Sequence, residues 1–181
     1  LEAEVELGNI LVYMGRLDEA LEHLDRVAAL YAPAQHRHHA FAFGKDPFAI
    51  TRVHAAMALY CLGREEEASA QIADGLAHLG RHPHPFSDGW LLLGAAIVHG
   101  LRGDIEASHA ASAAGLELAT VEGFPQWLAQ GQVYEGWARV IEGEHAEGHP
   151  EESVAFVVKV PAALRSKAAA ASYGVTNLVN E

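Results

Sequence analysis

Gly15-Arg16-Leu17-Asp18-Glu19-Ala20 returns 48 residues later as Gly63-Arg64-Glu65-Glu66-Glu67-Ala68. Weaker copies stand at Arg102-Gly103-Asp104-Ile105-Glu106-Ala107 and Gly143-Glu144-His145-Ala146-Glu147-Gly148. Aligning their closing small residues at 20, 68, 107 and 148 gives steps of 48, 39 and 41 residues. A unit recurring at this length marks a stack of helical hairpins, whose product is a surface.

The flanking sequence carries the matching periodicity. Leu17, Ala20, Leu21, Leu24, Val27, Ala28 and Tyr31 follow the three-and-four spacing of one helical face, with Asp18, Glu22, Asp25 and Arg26 opposite. Residues 1–14 read as one helix, and 32–46, with Pro33, three histidines and Gly44, as an insertion that accounts for the longer first step. Asp46-Pro47 is a helix start, an N-cap acceptor followed by proline at the first position. Helices are expected at 47–62, 64–79, 88–101 with Ser87 as cap, 104–119 and 126–141. The segment 88–101 is apolar nearly all round and must be covered on several sides. Asp46-Pro47-Phe48, His84-Pro85-Phe86 and Gly123-Phe124-Pro125 each set an aromatic beside a proline, a rigid stop and a plug between hairpins. These readings predict an all-α fold with hairpins near 1–31, 47–79, 88–119 and 126–148 in one domain over 1–148. Pro150 and the β-branched run from Val154 end the pattern, leaving 149–181 a divergent tail.

Composition narrows the function. Twenty-four acidic residues against 12 basic ones give a net charge of −12, which opposes nucleic-acid phosphates and anionic lipid. No apolar run reaches membrane-spanning length, and a single cysteine, Cys61, fits a reducing, cytoplasmic setting. The chain opens in helical composition without methionine, as a piece of a longer protein would. No phosphate loop ending in Gly-Lys-Ser/Thr, metal-carboxylate pair or nucleophile–base arrangement is present, so no catalytic residue, cofactor or metal is assigned. His36, His38 and His39, and likewise His78, His82 and His84, cluster without a defined ligand spacing and read as solvated or hydrogen-bonding groups. His145-Ala146-Glu147-Gly148-His149 has its glutamate misplaced for a metalloprotease helix. Ser87 beside His84 reads as a cap before it reads as a nucleophile.

Leu7, Gly8, Gly15, Ala20, Leu24 and Val27 occupy slots that resemble one tetratricopeptide repeat; Ala55, Ala56, Gly63, Ala68, Ile72 and Gly75 fill them next, then Gly94, Ala95, Arg102, Ala107, Ala111 and Ala114. The run from Gly15 to Leu24, with Tyr31 to Arg37, Phe43 to Pro47 and Glu122 to Leu128, is similar to the repeat region of bacterial multidomain signalling proteins. In that family a class III adenylate/guanylate cyclase and a predicted ATPase module precede the repeats. The resemblance implies a tetratricopeptide-like α-solenoid and a non-catalytic regulatory scaffold that binds a protein, a peptide or other domains of its parent. It places Asn9, Met57, Ala96 and Trp137 on the concave face, and Val12, Tyr60, His99 and Val140 one turn on. Met57, Tyr60, His99 and Trp137 are therefore the candidate partner-binding residues. The competing readings are a helical part of an enzyme completed by another domain, and a small-molecule sensor.

Overall fold

The computed structural model describes residues 1–36, 38–80 and 84–141. These are all-helical: α1 (Glu2–Tyr13), α2 (Leu17–Leu30), α3 (Pro33–His36), α4 (His39–Phe43), α5 (Pro47–Cys61), α6 (Glu65–Leu76), α7 (Pro85–Leu101), α8 (Ile105–Glu122) and α9 (Pro125–Ile141). The end of the expected fourth hairpin, residues 142–148, the tail 149–181, His82 and the motif at 145–149 lie outside the described residues.

The hairpins form where sequence periodicity meets a tight turn. On α2, Ala20, Leu21, Leu24 and Val27 are buried while Asp18, Glu22 and Asp25 face water. Gly8 on α1 admits the Leu24 side chain: a Cβ at Gly8 would stand 2.6 Å from Leu24 Cδ2. The turns carry glycines in the left-handed region, Gly15, Gly63 and Gly103 at φ 72, 75 and 77°, where other residues are strained.

That last glycine corrects the expected register. The third unit turns at Gly103, not Arg102, and α8 begins at Ile105, as α2 and α6 begin at Leu17 and Glu65. The helix starts are thus 48 and 40 residues apart. The fully buried slot held by Ala20 and Ala68 falls on Ser108, not Ala107. Ser108 tolerates that burial because its hydroxyl donates to the Ala96 carbonyl at 2.8 Å, leaving no orphaned polar group.

α1 packs on α2, α5 on α6 and α7 on α8, while α9 lies on α8 and α7. Between pairs, α2 meets α5 and α6 meets α7, and α1, α5, α7 and α9 touch in succession. The main core runs through these layers, from Leu21 and Leu24 through Ala55, Leu59, Ala68 and Ile72 to Ala95, Val98 and Ala111. As its all-round apolarity demands, α7 is covered by α5, α6, α8 and α9. Asp46 caps α5 as expected, accepting from the Phe48 amide at 2.9 Å. Ser87 does not cap α7. That helix begins two residues earlier, at Pro85, and Ser87 is buried inside its first turn. The insertion forms α3 and α4, tied back to α1 by His39 to Glu2 at 2.7 Å and by the Lys45–Glu6 ion pair. Among the described residues no helix is long and apolar enough to cross a membrane.

Candidate functional site

Four helices bring the first element of each successive pair side by side, and a groove of about 190 Å³ opens along them. Its walls are Tyr13 from α1, Val53 and Met57 from α5, Trp90, Leu93, Gly94 and Ile97 from α7, and Trp127, Gln130 and Tyr134 from α9. The spacing is regular: Val53 and Leu93, Met57 and Ile97, Trp90 and Gln130, and Gly94 and Tyr134 are each 40 residues apart. The period that sets the helix starts of α6 and α8 also sets the groove lining.

The lining is apolar and aromatic, with no charged side chain among the described residues. Gly94 makes the floor possible, since a Cβ there would stand 2.6 Å from both Val53 methyls. Trp127 is buried at the α7–α9 end; its indole N–H donates to the Phe86 carbonyl at 3.1 Å and its ring lies edge-on to Trp90, 5.3 Å between centroids. At the other end stands Tyr13, 68% exposed. Gln130 donates to the Tyr134 hydroxyl at 2.5 Å, and burial raises the Tyr134 pKa, so the phenol stays protonated.

Behind Tyr13 and Trp90 sits His54, completely buried. Its Nδ1 lies 2.8 Å from the Ile50 carbonyl. A carbonyl can only accept, so Nδ1 carries the proton and Nε2 is an acceptor, which has no partner among the described residues. Burial lowers the His54 pKa, the Ile50 carbonyl opposing it. The ring is a neutral wedge joining α1, α5 and α7, not a ligand-facing base.

Of the four residues singled out from sequence, Met57 lines the groove. Trp137 packs over Gly100, where a Cβ would meet its ring at 2.0 Å. Tyr60 uses its hydroxyl within the chain, donating to the Leu101 carbonyl at 2.6 Å. His99 is half-buried, 4.0 Å from Asp104, with its pKa lowered by burial against the pull of Asp104. The one-residue register shift explains the difference. Forty residues after Met57 and Tyr60 stand Ile97 and Gly100, not Ala96 and His99. Ala96 is fully buried, and Ile97 takes the groove position. Tyr13, Trp90, Trp127 and Tyr134 were missed because the slot pattern was read from the turns outward; a 40-residue offset applied from Val53 and Met57 finds Leu93 and Ile97 directly.

The nucleophile-like pair is structural. Ser87 Oγ accepts from the Asp46 amide at 2.7 Å and lies 2.9 Å from His84 Nδ1, with Ser87 only 1% exposed. It pins the start of α5 to the start of α7 and is closed to substrate. Among the described residues no group of three or more His, Cys, Asp or Glu side chains is placed to hold a metal ion. Instead, His36, His38 and His39 pack ring against ring at 4.6–5.1 Å, and His78 lies 3.6 Å from Asp46.

Compared with protein-family models, curated proteins and solved structures, the chain matches none.

Proposed function

We propose that this chain is a non-catalytic interaction module, a tetratricopeptide-like solenoid of helical hairpins whose concave groove holds a segment of a partner protein. The observation that carries the reading is the groove itself. It crosses four helices, is walled by residues at a 40-residue spacing, and presents aromatic side chains. Buried aromatic anchors are where interface energy concentrates, and an extended or helical segment in a groove is a recurrent use of such surfaces. The regular contacts of second helices with the following first helix support the stacked arrangement.

On this reading the module regulates catalytic domains of a larger signalling protein, a cyclase or ATPase being the parent that the sequence resemblance suggests, in the cytoplasm. Partners are proteins or peptides rather than nucleic acid or membrane. The small-molecule alternative draws on the groove's volume, comparable to a cavity of ~150 Å³ that binds benzene.

Titration of the purified chain with a peptide library, followed through tryptophan emission, tests the proposal. Peptide binding weakened at least tenfold, about 1.4 kcal/mol, by Tyr13→Ala or Met57→Ala in a folded protein supports it. ATP turnover abolished by a substitution within the chain overturns the non-catalytic reading. Saturable binding of small apolar ligands, with no peptide bound, favours the sensor.

A further inference from the structure

We infer that the partner segment seated in the groove presents one uncharged aromatic or leucine-sized side chain flanked by lysine or arginine. The inference rests on the interaction-module reading above and adds the chemistry of the partner. The anchor follows from the lining. Met57, Trp90, Ile97 and Tyr134 offer partly exposed apolar and aromatic surface, and no carboxylate lies among them to neutralise an inserted charge. An ammonium driven into such a site loses its hydration without a counter-ion, whereas a phenyl or isobutyl group fits the volume.

The flank follows from what borders the groove. Tyr13 ends α1, and Met57 and Ile97 lie about one turn before the ends of α5 and α7. Those ends lead straight into the three hairpin turns, and beyond each turn the second helix opens with acidic residues. They are Asp18 and Glu19, then Glu65, Glu66 and Glu67, then Glu106 after the cap Asp104. Against these seven carboxylates the turns carry Arg16, Arg64 and Arg102, and the first two are already bound to Glu19 and Glu67. Carboxylates in a first turn also complement the helix dipole, but that role leaves their excess charge at the surface. The first two pairs lie near each other: the Glu67 hydrogen bond chiefly raises the Arg64 pKa, and Asp25 and Asp18 of the first pair add to it. A chain leaving the groove over this edge therefore meets net negative charge, as the whole protein's −12 also dictates.

Three amidated pentapeptides with acetylated N-termini, KKFKK, KKAKK and EEFEE, separate anchor from flank when titrated into the intact protein by NMR and tryptophan fluorescence. KKFKK should bind at least tenfold more tightly than either of the others, shift the signals of Tyr13, Trp90 and Tyr134, and weaken as salt rises. The exposed pair Glu65→Gln and Glu66→Gln should cost KKFKK at least threefold while leaving the far-UV spectrum unchanged. EEFEE binding as tightly as KKFKK overturns the basic flank, and KKAKK doing so overturns the anchor. In either case peptide binding itself would stand. Failure of these three and of every member of an unbiased peptide library overturns the interaction-module reading with it.

Discussion

Two junctions hold successive helix pairs together, and they use different chemistry. Between α5 and α7 the contact at the helix starts is polar: the Asp46 amide donates to buried Ser87, His84 lies against Ser87, and the Asp46 carboxylate faces His78 and Asp88. Between α7 and α9 it is steric. Trp127 lies over Gly89 and Trp137 over Gly100, with a Cβ at either glycine falling inside the ring's contact distance, 2.7 and 2.0 Å respectively. Further along, Gly94 packs as closely on Val53 across the first seam, yet at the helix starts one seam depends on protons and hydrogen-bond partners and the other on volume. The polar seam lies beside the insertion α3–α4, where Phe41 meets His84 at 5.5 Å between centroids. There an apolar plug would have to cover the ends of several elements; a hydrogen-bonded cluster joins them through backbone groups that need partners in any case.

The largest expected effect breaks the steric seam. Trp127 is 1% exposed and contacts Phe86, Gly89 and Trp90 while its indole N–H satisfies the Phe86 carbonyl. Trp127→Ala should cost about 3–5 kcal/mol, the range for deleting a buried large aromatic side chain. Urea denaturation followed by circular dichroism measures it. A loss below about 1 kcal/mol would show that α9 is not held by this ring, and the contrast between the seams would collapse.

The polar seam should be weaker per residue. Ser87→Ala removes the acceptor of the Asp46 amide in a buried setting, which leaves that N–H unpaired at about 1–3 kcal/mol. Ser87→Thr keeps the hydroxyl and serves as the control, its extra methyl adding its own packing cost. If Ser87→Ala melts with the unchanged protein, the hydrogen bond does not contribute and the seam is held by its aromatic neighbours instead.

Helix placement was legible in the sequence because local signals agreed. Asp46-Pro47 marked a start, Gly15 and Gly63 marked turns, and the α2 face showed a clean three-and-four pattern. The third unit was misregistered because Arg102-Gly103 offers two residues for one turn position, and only the backbone conformation shows that Gly103 takes it. That single step moved the expected groove residues from Ile97 and Gly100 to Ala96 and His99. Trp127 and Trp90 are core on one side and groove wall on the other, a dual role that helical periodicity does not express. The polar seam was hidden for another reason. Ser87 and Asp46 are 41 residues apart, and nothing in a local pattern announces a hydrogen bond between the starts of two helices.

The smallest effect sharpens the comparison by using pH, which should act on the polar seam and leave the steric one alone. Half-buried Asp88 has its carboxyl pushed up to about 6, chiefly by burial and then by the neighbouring Asp46 carboxylate. Between the ordinary aspartate value near ~4 and that raised value, the folded chain holds a proton that the unfolded chain has released. Stability from this group therefore falls as pH rises from about 4 to about 6 and stays reduced above it. His84 and His54 act in the opposite direction: burial lowers both, so their contribution is lost as pH falls through their unfolded value. Asp88→Asn removes the carboxylate's penalty and should raise stability at pH 7.5 by about 1 kcal/mol, the shift being discounted for solvent screening. That corresponds to roughly 2–4 °C in Tm for a chain of this size. At pH 4 the variant and the unchanged protein should melt together, because Asp88 is then protonated in the folded state. The variant should consequently lose more stability on acidification than the parent, having lost the only one of these three shifts that favours low pH. A Tm difference of the same size at both pH values would show that packing, not protonation, distinguishes asparagine from aspartate there, and the polar seam would no longer be the pH-sensitive one.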